Sequence, residues 1–337
     1  MALGAVAEHS FNTNKGFGVL HRSLNFSKEV KLQEQVNLKN FSNYRIGGPA
    51  RYFTKAGTVK ELIEAIKWAE GKKVPIYILG GGTNVLWSDK GFDGLVVKPD
   101  FDFIKVDGSH ITAGASVPMP GLVQAAVGRG LKGIEWAGGL PGTFGGAIYG
   151  NAGAFGGEIK DIVREVVSLN TETLELKERS NTECQFRYRA SIFKTQEKEI
   201  ILQARIELTP GDKRVLYESM AAKMSYRKRK HPLEYPNIGS IFKNVPVGEL
   251  KKELVEPHRQ VIKTDPFPVI PAAYLIDKAG LRGVSHGGAM VSPRHPNFIV
   301  NVLDAKASDV SALIELVKEK IKEKFNIQLE EEVRIIK

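Results

Sequence analysis

One cysteine, Cys184, stands in 337 residues, so no internal disulfide can form, which fits a reducing compartment. It has no supporting catalytic context and reads as a small buried apolar residue. No apolar run reaches the roughly 18 residues that a membrane-spanning helix needs. The opening MALGAVAEHSFNTNKG has no basic segment leading into an apolar core, so no secretory signal is expected. The histidines are scattered, and His286 and His295 are too isolated for a zinc pattern, so no metal site is expected. No Ser-His-Asp constellation can be read from spacing. There is no internal repeat and no low-complexity tract.

Charge is the exception to this sparseness. The net +10 invites a nucleic-acid partner. However, the basic residues are dispersed, and the one dense cluster, Arg227-Lys228-Arg229-Lys230-His231, is short. Such a cluster suits the phosphates of a small anionic ligand, or a solvated face, as well as it suits a nucleic acid. Neither nucleic acid nor membrane is therefore expected as a partner. With 42% hydrophobic and 26% charged residues the composition is that of a soluble globular protein, and the length calls for two or three domains.

Glycine is the abundant residue, and it is concentrated. Residues 138–157, GGLPGTFGGAIYGNAGAFGG, hold nine of the 34 glycines. Leu140, Phe144, Ile148, Tyr149 and Phe155 are interleaved with them. Glycine lets another group approach the backbone closely, and long ordered loops in compact domains are usually functional. The block therefore reads as an ordered loop around a ligand, with tight turns in a β-rich core as the alternative. A second glycine cluster, Gly80-Gly81-Gly82-Thr83-Asn84, follows the apolar strand Pro75–Leu79. Successive backbone N–H groups beside a hydroxyl make a nest for a pyrophosphate. The cluster lacks the Gly-Lys-Ser/Thr end of a P-loop and the helix-opening G-x-G-x-x-G fingerprint. Two such loops would suit a long cofactor with a pyrophosphate in its middle.

Elsewhere the patterning predicts an α+β chain. Helices are expected over Thr58–Gly71, Pro120–Arg129, Val215–Lys228, Ala272–Ala279 and Val310–Phe325. Strands are expected over Leu95–Val97, Phe103–Val106, His110–Ala113, Ile200–Leu208, Phe298–Asn301 and Val333–Ile336. Val163–Asn170 and Thr173–Lys177 read as a hairpin. The cluster Thr209-Pro210-Gly211-Asp212 reads as a linker.

Several further segments look specific: NFSNYRIGGPA (40–50), ILGGGTNVL (78–86), GIEWAGGLPGTFGGAIYGNAGAFGGEI (133–159), FRYRASIFK (186–194), GSIFKN (239–244), AAYLIDKAGLRG (272–283), HPNFIVN (295–301) and EEEVRII (330–336). Taken in order they resemble the UDP-N-acetylenolpyruvoylglucosamine reductases (UDP-N-acetylmuramate dehydrogenases) of bacterial cell-wall synthesis. The resemblance covers about Val36 to the C-terminus. The interval between Tyr188-Arg189 and Gly239-Ser240 is short, like that of the family's second type, which lacks an extra substrate-capping loop and its tyrosine.

The resemblance implies a cytoplasmic enzyme. It implies non-covalent FAD in a two-part binding fold of the vanillyl-alcohol-oxidase (PCMH) type, plus a C-terminal α+β substrate domain. The expected division is a loose tail over 1–30, FAD-binding subdomains over 31–100 and 101–212, and a substrate domain over 213–337 whose last segment returns to the active site. NADPH would supply hydride, and UDP-N-acetylglucosamine enolpyruvate would accept it. The FAD contacts implied are Gly80, Gly81, Gly82, Thr83, Asn84, Gly138, Pro141, Gly142, Thr143, Gly145, Gly146, Asn151 and Gly153. Arg189 and Glu332 would stabilise charge on the substrate's carboxylate, Glu332 as a protonated or proton-sharing group, and Ser240 would donate a proton. Glu332, rather than Glu330 or Glu331, is chosen because it directly precedes Val-Arg. Arg227 and Lys230 would contact the substrate's phosphates, Asn244 its uridine side, and Arg282 the diphosphate. The rival reading is a flavin oxidase or dehydrogenase of the same fold with another substrate. Oligomeric state is left open by the sequence.

Overall fold

A computed structural model describes residues 31–336; the tail expected over 1–30 lies outside the described residues. The first layer is a four-stranded sheet in the order Gln33–Asn37, Pro49–Ala56, Phe92–Pro99, Ile76–Ile78. Phe92–Pro99 runs parallel to both of its neighbours. Parallel neighbours need a crossover, and the helix Val59–Lys72 supplies one. Thr58 and Glu61 cap it reciprocally: Glu61 N–H donates to Thr58 Oγ1 at 3.1 Å, and Thr58 N–H to Glu61 Oε2 at 3.2 Å. Leu62, Ala65, Ile66 and Ala69 recur at helical spacing and are buried on the sheet. Gly71 is not the expected stop. It lies inside the last turn, and Lys73, at φ +56°, closes the helix in the left-handed conformation.

The second layer is an antiparallel five-stranded sheet: Leu176–Ser180, Val163–Asn170, Glu199–Glu207, His110–Gly114, Ile104–Asp107. The hairpin's second arm starts later than the expected Thr173. The Asn170 carboxamide oxygen accepts the N–H groups of Glu172 and Thr173, which places those residues in the turn. One face of this sheet buries the helices Met119–Gly128 and Phe144–Tyr149, with Val123, Phe144 and Ile148 against Ile111, Val166 and Ile206. Cys184 is fully buried in the same core, and burial pushes its thiol up to about 12. Leu169, Ile200 and Leu202 of this sheet pack into the core beneath the helix Val59–Lys72, which joins the first two layers.

The expected linker at 209–212 is instead fastened. Thr209–Pro210 pairs antiparallel with Leu131–Lys132. Asp212 then caps the helix Lys213–Lys230, its Oδ1 accepting from Arg214 N–H at 2.8 Å and Val215 N–H at 3.1 Å. The C-terminal part sets Ala272–Lys278 and the long helix Ala307–Phe325 around a small sheet of Ser285–His286, Ala289–Val291 and Ile299–Asn301.

This last unit is sewn to the first layer. Tyr44, Ile46 and Leu86 enter its core. The Tyr44 hydroxyl donates to Ile299 O at 2.8 Å, and Asn301 Nδ2 to Tyr44 O at 3.1 Å. Asp89 caps the helix Ala307–Phe325 by accepting from Ala307 and Ser308 N–H groups. The final strand, Arg334–Ile336, pairs parallel with Val85–Trp87, directly after the Gly80–Asn84 turn.

Two glycine substitutions separate conformational need from incidental use. At Gly82 φ is +66°, and a Cβ would lie 1.9 Å from Phe41 O. Gly82→Ala is expected to lower stability by about 3 kcal/mol. Gly71 is helical, and a Cβ there meets nothing within 4 Å. Gly71→Ala should raise stability by about 0.5 kcal/mol. Urea denaturation midpoints of the two variants check both signs.

Candidate active site

A cleft of about 1100 Å³ opens where the three parts meet. Its walls include Gly80–Asn84, Gly139–Thr143, Arg189, Arg227, Ser240 and Glu332, drawn from widely separated parts of the chain. Gly145, Gly146 and Gly153 also line it; Gly138, Asn151, Lys230, Asn244 and Arg282 do not.

The two glycine clusters touch through their backbones. A Cβ on Gly81 would lie 2.8 Å from Gly142 Cα, and one on Gly142, at φ +102°, 2.8 Å from Thr83 Oγ1. Side chains on these atoms would force the loops apart. Gly146 differs: the nearest atom to its Cβ position is Thr143 Oγ1 at 3.4 Å, so a larger side chain meets little protein and occupies the cleft. The 138–157 block is not all loop, because Thr143 caps a short helix, Phe144–Tyr149, within it. The first N–H groups of that helix are answered, Phe144 by Val117 O and Gly145 by Ala115 O, both at 2.8 Å. By contrast, the N–H groups of Gly80, Gly81, Gly82 and Thr83 donate to no acceptor among the described residues. Just ahead of the helix the N–H groups of Gly139, Gly142 and Thr143 likewise donate to no acceptor among the described residues, so both clusters offer free backbone donors. Lys98 Nζ steadies that turn by donating to Gly80 O at 3.0 Å.

Gly138 and Asn151 act on the loop from behind. Gly138 O accepts from Arg227 Nε at 3.0 Å. Asn151 is fully buried; it donates to Arg187 O at 3.0 Å and accepts from Lys160 N–H at 3.0 Å.

Arg189 sits in a tight turn at φ +54°, flanked by reciprocal bonds between Arg187 and Ala190. A left-handed arginine is strained, and Lys194 Nζ holds it by donating to Arg189 O at 2.9 Å. The guanidinium donates through Nη2 to Gly153 O at 3.1 Å and lies 5.0 Å from the Tyr188 ring. Its Nε stands 2.7 Å from Glu332 Oε1. That contact is an ion pair without hydrogen-bond alignment, so the buried Nε–H finds no acceptor among the described residues. Burial works against the Arg189 charge, but Glu332 and its neighbours outweigh it and raise the pKa.

Glu332 reaches this place through strand register. Glu332 N–H donates to Ile241 O at 2.8 Å and Lys243 N–H to Glu330 O at 2.9 Å, with Phe242 opposite Glu331. The three glutamates consequently diverge. Glu330 pairs with Lys243 at 2.8 Å and Glu331 with Lys318 at 2.9 Å, while Glu332 alone of the three lines the cleft. The same register carries Ser240, one residue before Ile241, to the cleft. Buried Asn237 shapes its turn by donating to Pro232 O and Tyr235 O and accepting from Gly239 N–H. Asn297 clamps both backbone groups of Phe242.

Arg227 is buried, and its Nη2 has no partner among the described residues. Burial lowers its pKa. Lys230 is exposed at the end of the same helix. Asn244 Oδ1 accepts from Ala272 N–H at 3.2 Å. Arg282 is engaged by the Asp277 carboxylate and Pro293 O. As placed, these last three therefore stand outside the cleft.

Sequence reasoning passed over Tyr149, Glu197 and Arg334, which also line the cleft. The Tyr149 hydroxyl donates to Glu197 Oε1 at 2.9 Å and accepts from Arg334 Nη1, which is 3.0 Å from the same carboxylate oxygen. The available signal for Arg334 was its position two residues after Glu332.

Two family models match this layout. An FAD-binding domain covers residues 50–172, and the C-terminal domain of UDP-N-acetylenolpyruvoylglucosamine reductase covers 231–336. The reductase of Caldanaerobacter subterraneus subsp. tengcongensis is 40% identical over 92% of this chain and 95% of its own. The chain belongs to the UDP-N-acetylenolpyruvoylglucosamine reductase family. The Fervidobacterium nodosum reductase is 35% identical over 97% of this chain and 98% of its own. The crystal structure of the Thermus caldophilus reductase is 30% identical, with a TM-score of 0.73 over 91% of this chain and all of that one. The α+β fold is thus a two-part FAD-binding unit followed by the reductase C-terminal domain, and the cofactor of this family member is FAD. No described helix is long and apolar enough to cross a membrane.

At the cleft's edge His231 packs against His295 and Phe298, with ring centroids 5.5 and 5.0 Å away. Burial first, then nearby positive charge, pushes both histidines down to about 4. Unfolded, each ring takes up its proton near 6.5; folded, it does so only near 4. The stability these two neutral rings contribute is therefore fully present above about pH 6.5 and is lost as pH drops toward 4. Thermal melts should show a steeper loss between about pH 7 and pH 5 for the wild type than for the His231→Gln, His295→Gln double variant.

Proposed function

We propose that this protein reduces the enolpyruvyl ether of UDP-N-acetylglucosamine to the lactyl ether, giving UDP-N-acetylmuramate for peptidoglycan synthesis in the cytoplasm, with NADPH as the reductant. The observation that carries this reading is the Arg189–Glu332 ion pair, brought beside the Ser240 turn inside a glycine-walled cleft.

The residues present fit FAD. The unanswered N–H groups of Gly80–Thr83 suit its pyrophosphate. The bare wall at Gly146 leaves room for an extended ligand along the loop. Bound there, FAD supplies hydride, received from NADPH, to the substrate's methylene carbon.

The chain's own side chains do the rest. An enol ether conjugated to a carboxylate accepts hydride poorly, because negative charge must build up on that carboxylate. Arg189 meets the charge with a permanently cationic planar fork, preorganised by Gly153 O and Lys194. Its unpartnered Nε–H is free to turn to a substrate oxygen. Glu332, paired with Arg189, holds the guanidinium at the same point. Ser240 donates the proton that the adjacent carbon needs. A serine hydroxyl is a weak acid, and it serves here because the carbon it protonates is strongly basic. Arg227, with an unpartnered buried Nη2, is suited to a substrate phosphate. We assign residues 31–100 and 101–212 to cofactor binding and 213–337 to substrate binding.

Two substitutions test this reading. Gly146→Val should lose flavin first, and activity only as a consequence. Flavin absorbance per protein should fall at least tenfold at fixed FAD, and full occupancy in that variant would remove Gly146 from the cofactor wall. Ser240→Ala should leave flavin reduction by NADPH nearly unchanged. It should slow flavin reoxidation by the enolpyruvyl sugar by about 10²-fold or more. Stopped-flow traces of the flavin band separate the two halves; equal slowing of both would remove Ser240 from proton donation.

A further inference from the structure

Among the described residues, Arg334 is the one cation of the inner cleft whose guanidinium has an open edge that neither the family assignment nor the proposed reaction uses. It lies two residues beyond Glu332, with buried Val333 between them, so both side chains face the cleft as alternation along an extended segment requires. Its N–H donates to Asn84 O at 3.0 Å, which seats it against the first glycine turn. The guanidinium is held between two rings, 5.3 Å from that of Tyr77 and 5.7 Å from that of Tyr149. Only Nη1 is engaged, by the Tyr149 hydroxyl and by Glu197 at 3.0 Å. Nε and Nη2 have no acceptor among the described residues, and the side chain is one-third exposed. A cation fixed along one edge and open along the other is built to meet an anion from the cleft.

The other cations there are occupied or displaced. Arg189 is held by Glu332 and Gly153, and its remaining Nε–H is assigned to the substrate carboxylate. Lys194 and Lys98 donate to backbone carbonyls, and burial lowers the pKa of each. Arg227 is anchored on Gly138, and Arg45 is exposed.

We propose that Arg334 is a positioning and tuning residue for the flavin, set to stabilise the negative charge that its ring system acquires on two-electron reduction. This rests on the functional reading above. Hydride from the reduced nicotinamide brings two electrons and one proton to the oxidised ring, leaving it with one negative charge. When hydride passes on to the substrate, that charge leaves with it. A permanent cation beside the ring favours the reduced state and so raises the potential. Glu197, paired to the same guanidinium, opposes this, so the Glu197–Arg334 pair sets the potential between two limits.

The test is the midpoint potential of bound FAD in the purified holoprotein, measured by anaerobic reduction against a reference dye. Arg334→Met should weaken binding of reduced FAD relative to oxidised FAD by about tenfold, a shift of about 30 mV to more negative potential for a two-electron couple. Arg334→Lys should shift it less. Glu197→Gln should move the potential the other way. A merely structural role predicts no opposition between Arg334→Met and Glu197→Gln. An unchanged potential in Arg334→Met, or a negative or absent shift in Glu197→Gln, overturns the proposal. If Arg334→Met does not fold, the Glu197→Gln result decides it alone. A yellow wild-type protein that ignores the enolpyruvyl sugar would sink the functional reading while leaving this measurement able to decide; a protein that binds no FAD would remove both.

Discussion

The cleft depends on one short stretch of antiparallel pairing, Ile241–Lys243 against Glu330–Glu332. Two backbone bonds define it, Glu332 N–H to Ile241 O and Lys243 N–H to Glu330 O. A slip of one residue would reverse the facing of every side chain in the segment. Glu331 would then turn to the cleft and Glu332 away from Arg189. The register is guarded from both sides. Asn297 holds Phe242, and Lys243 and Lys318 draw Glu330 and Glu331 outward. Ser240 and Glu332 thus take their places from the same constraint, although they are far apart in the chain.

The glycine clusters have a complementary task. They leave space and unanswered N–H groups, and of their side chains Thr83, Asn84, Thr143 and Tyr149 face the cleft without bringing charge to it. Large side chains supply the charge: Arg189 held in a strained backbone conformation, and Arg334 wedged between tyrosines. Rigidity of this kind is what electrostatic stabilisation requires, since a donor that must reorganise loses much of its advantage.

Much of the fold was legible in the sequence. The long helices showed their period and caps, as Val59–Lys72 does with Thr58 and Glu61. Gln33–Asn37 and Pro49–Ala56 were not seen, because alternation in these strands is masked by charged and glycine-rich neighbours and their pairing is non-local. The helix Phe144–Tyr149 was hidden by its glycines, whose low propensity is overridden by the Thr143 cap and by burial of Phe144 and Ile148. In the candidate site, motif order brought out Arg189, Ser240 and Glu332. It could not show the Tyr149–Glu197–Arg334 cluster, which exists only once three distant segments meet.

Cys184 has a practical consequence. The chain's only thiol is sealed in the core, and burial holds it protonated far above neutral pH. Thiolate is the reactive form, so maleimide reagents should pass the folded native protein by. A cysteine placed at Leu233, exposed on the cleft rim, would then be the single labelling point on an otherwise silent surface. A fluorophore attached there could follow ligand arrival in real time without first stripping the protein of its own cysteine.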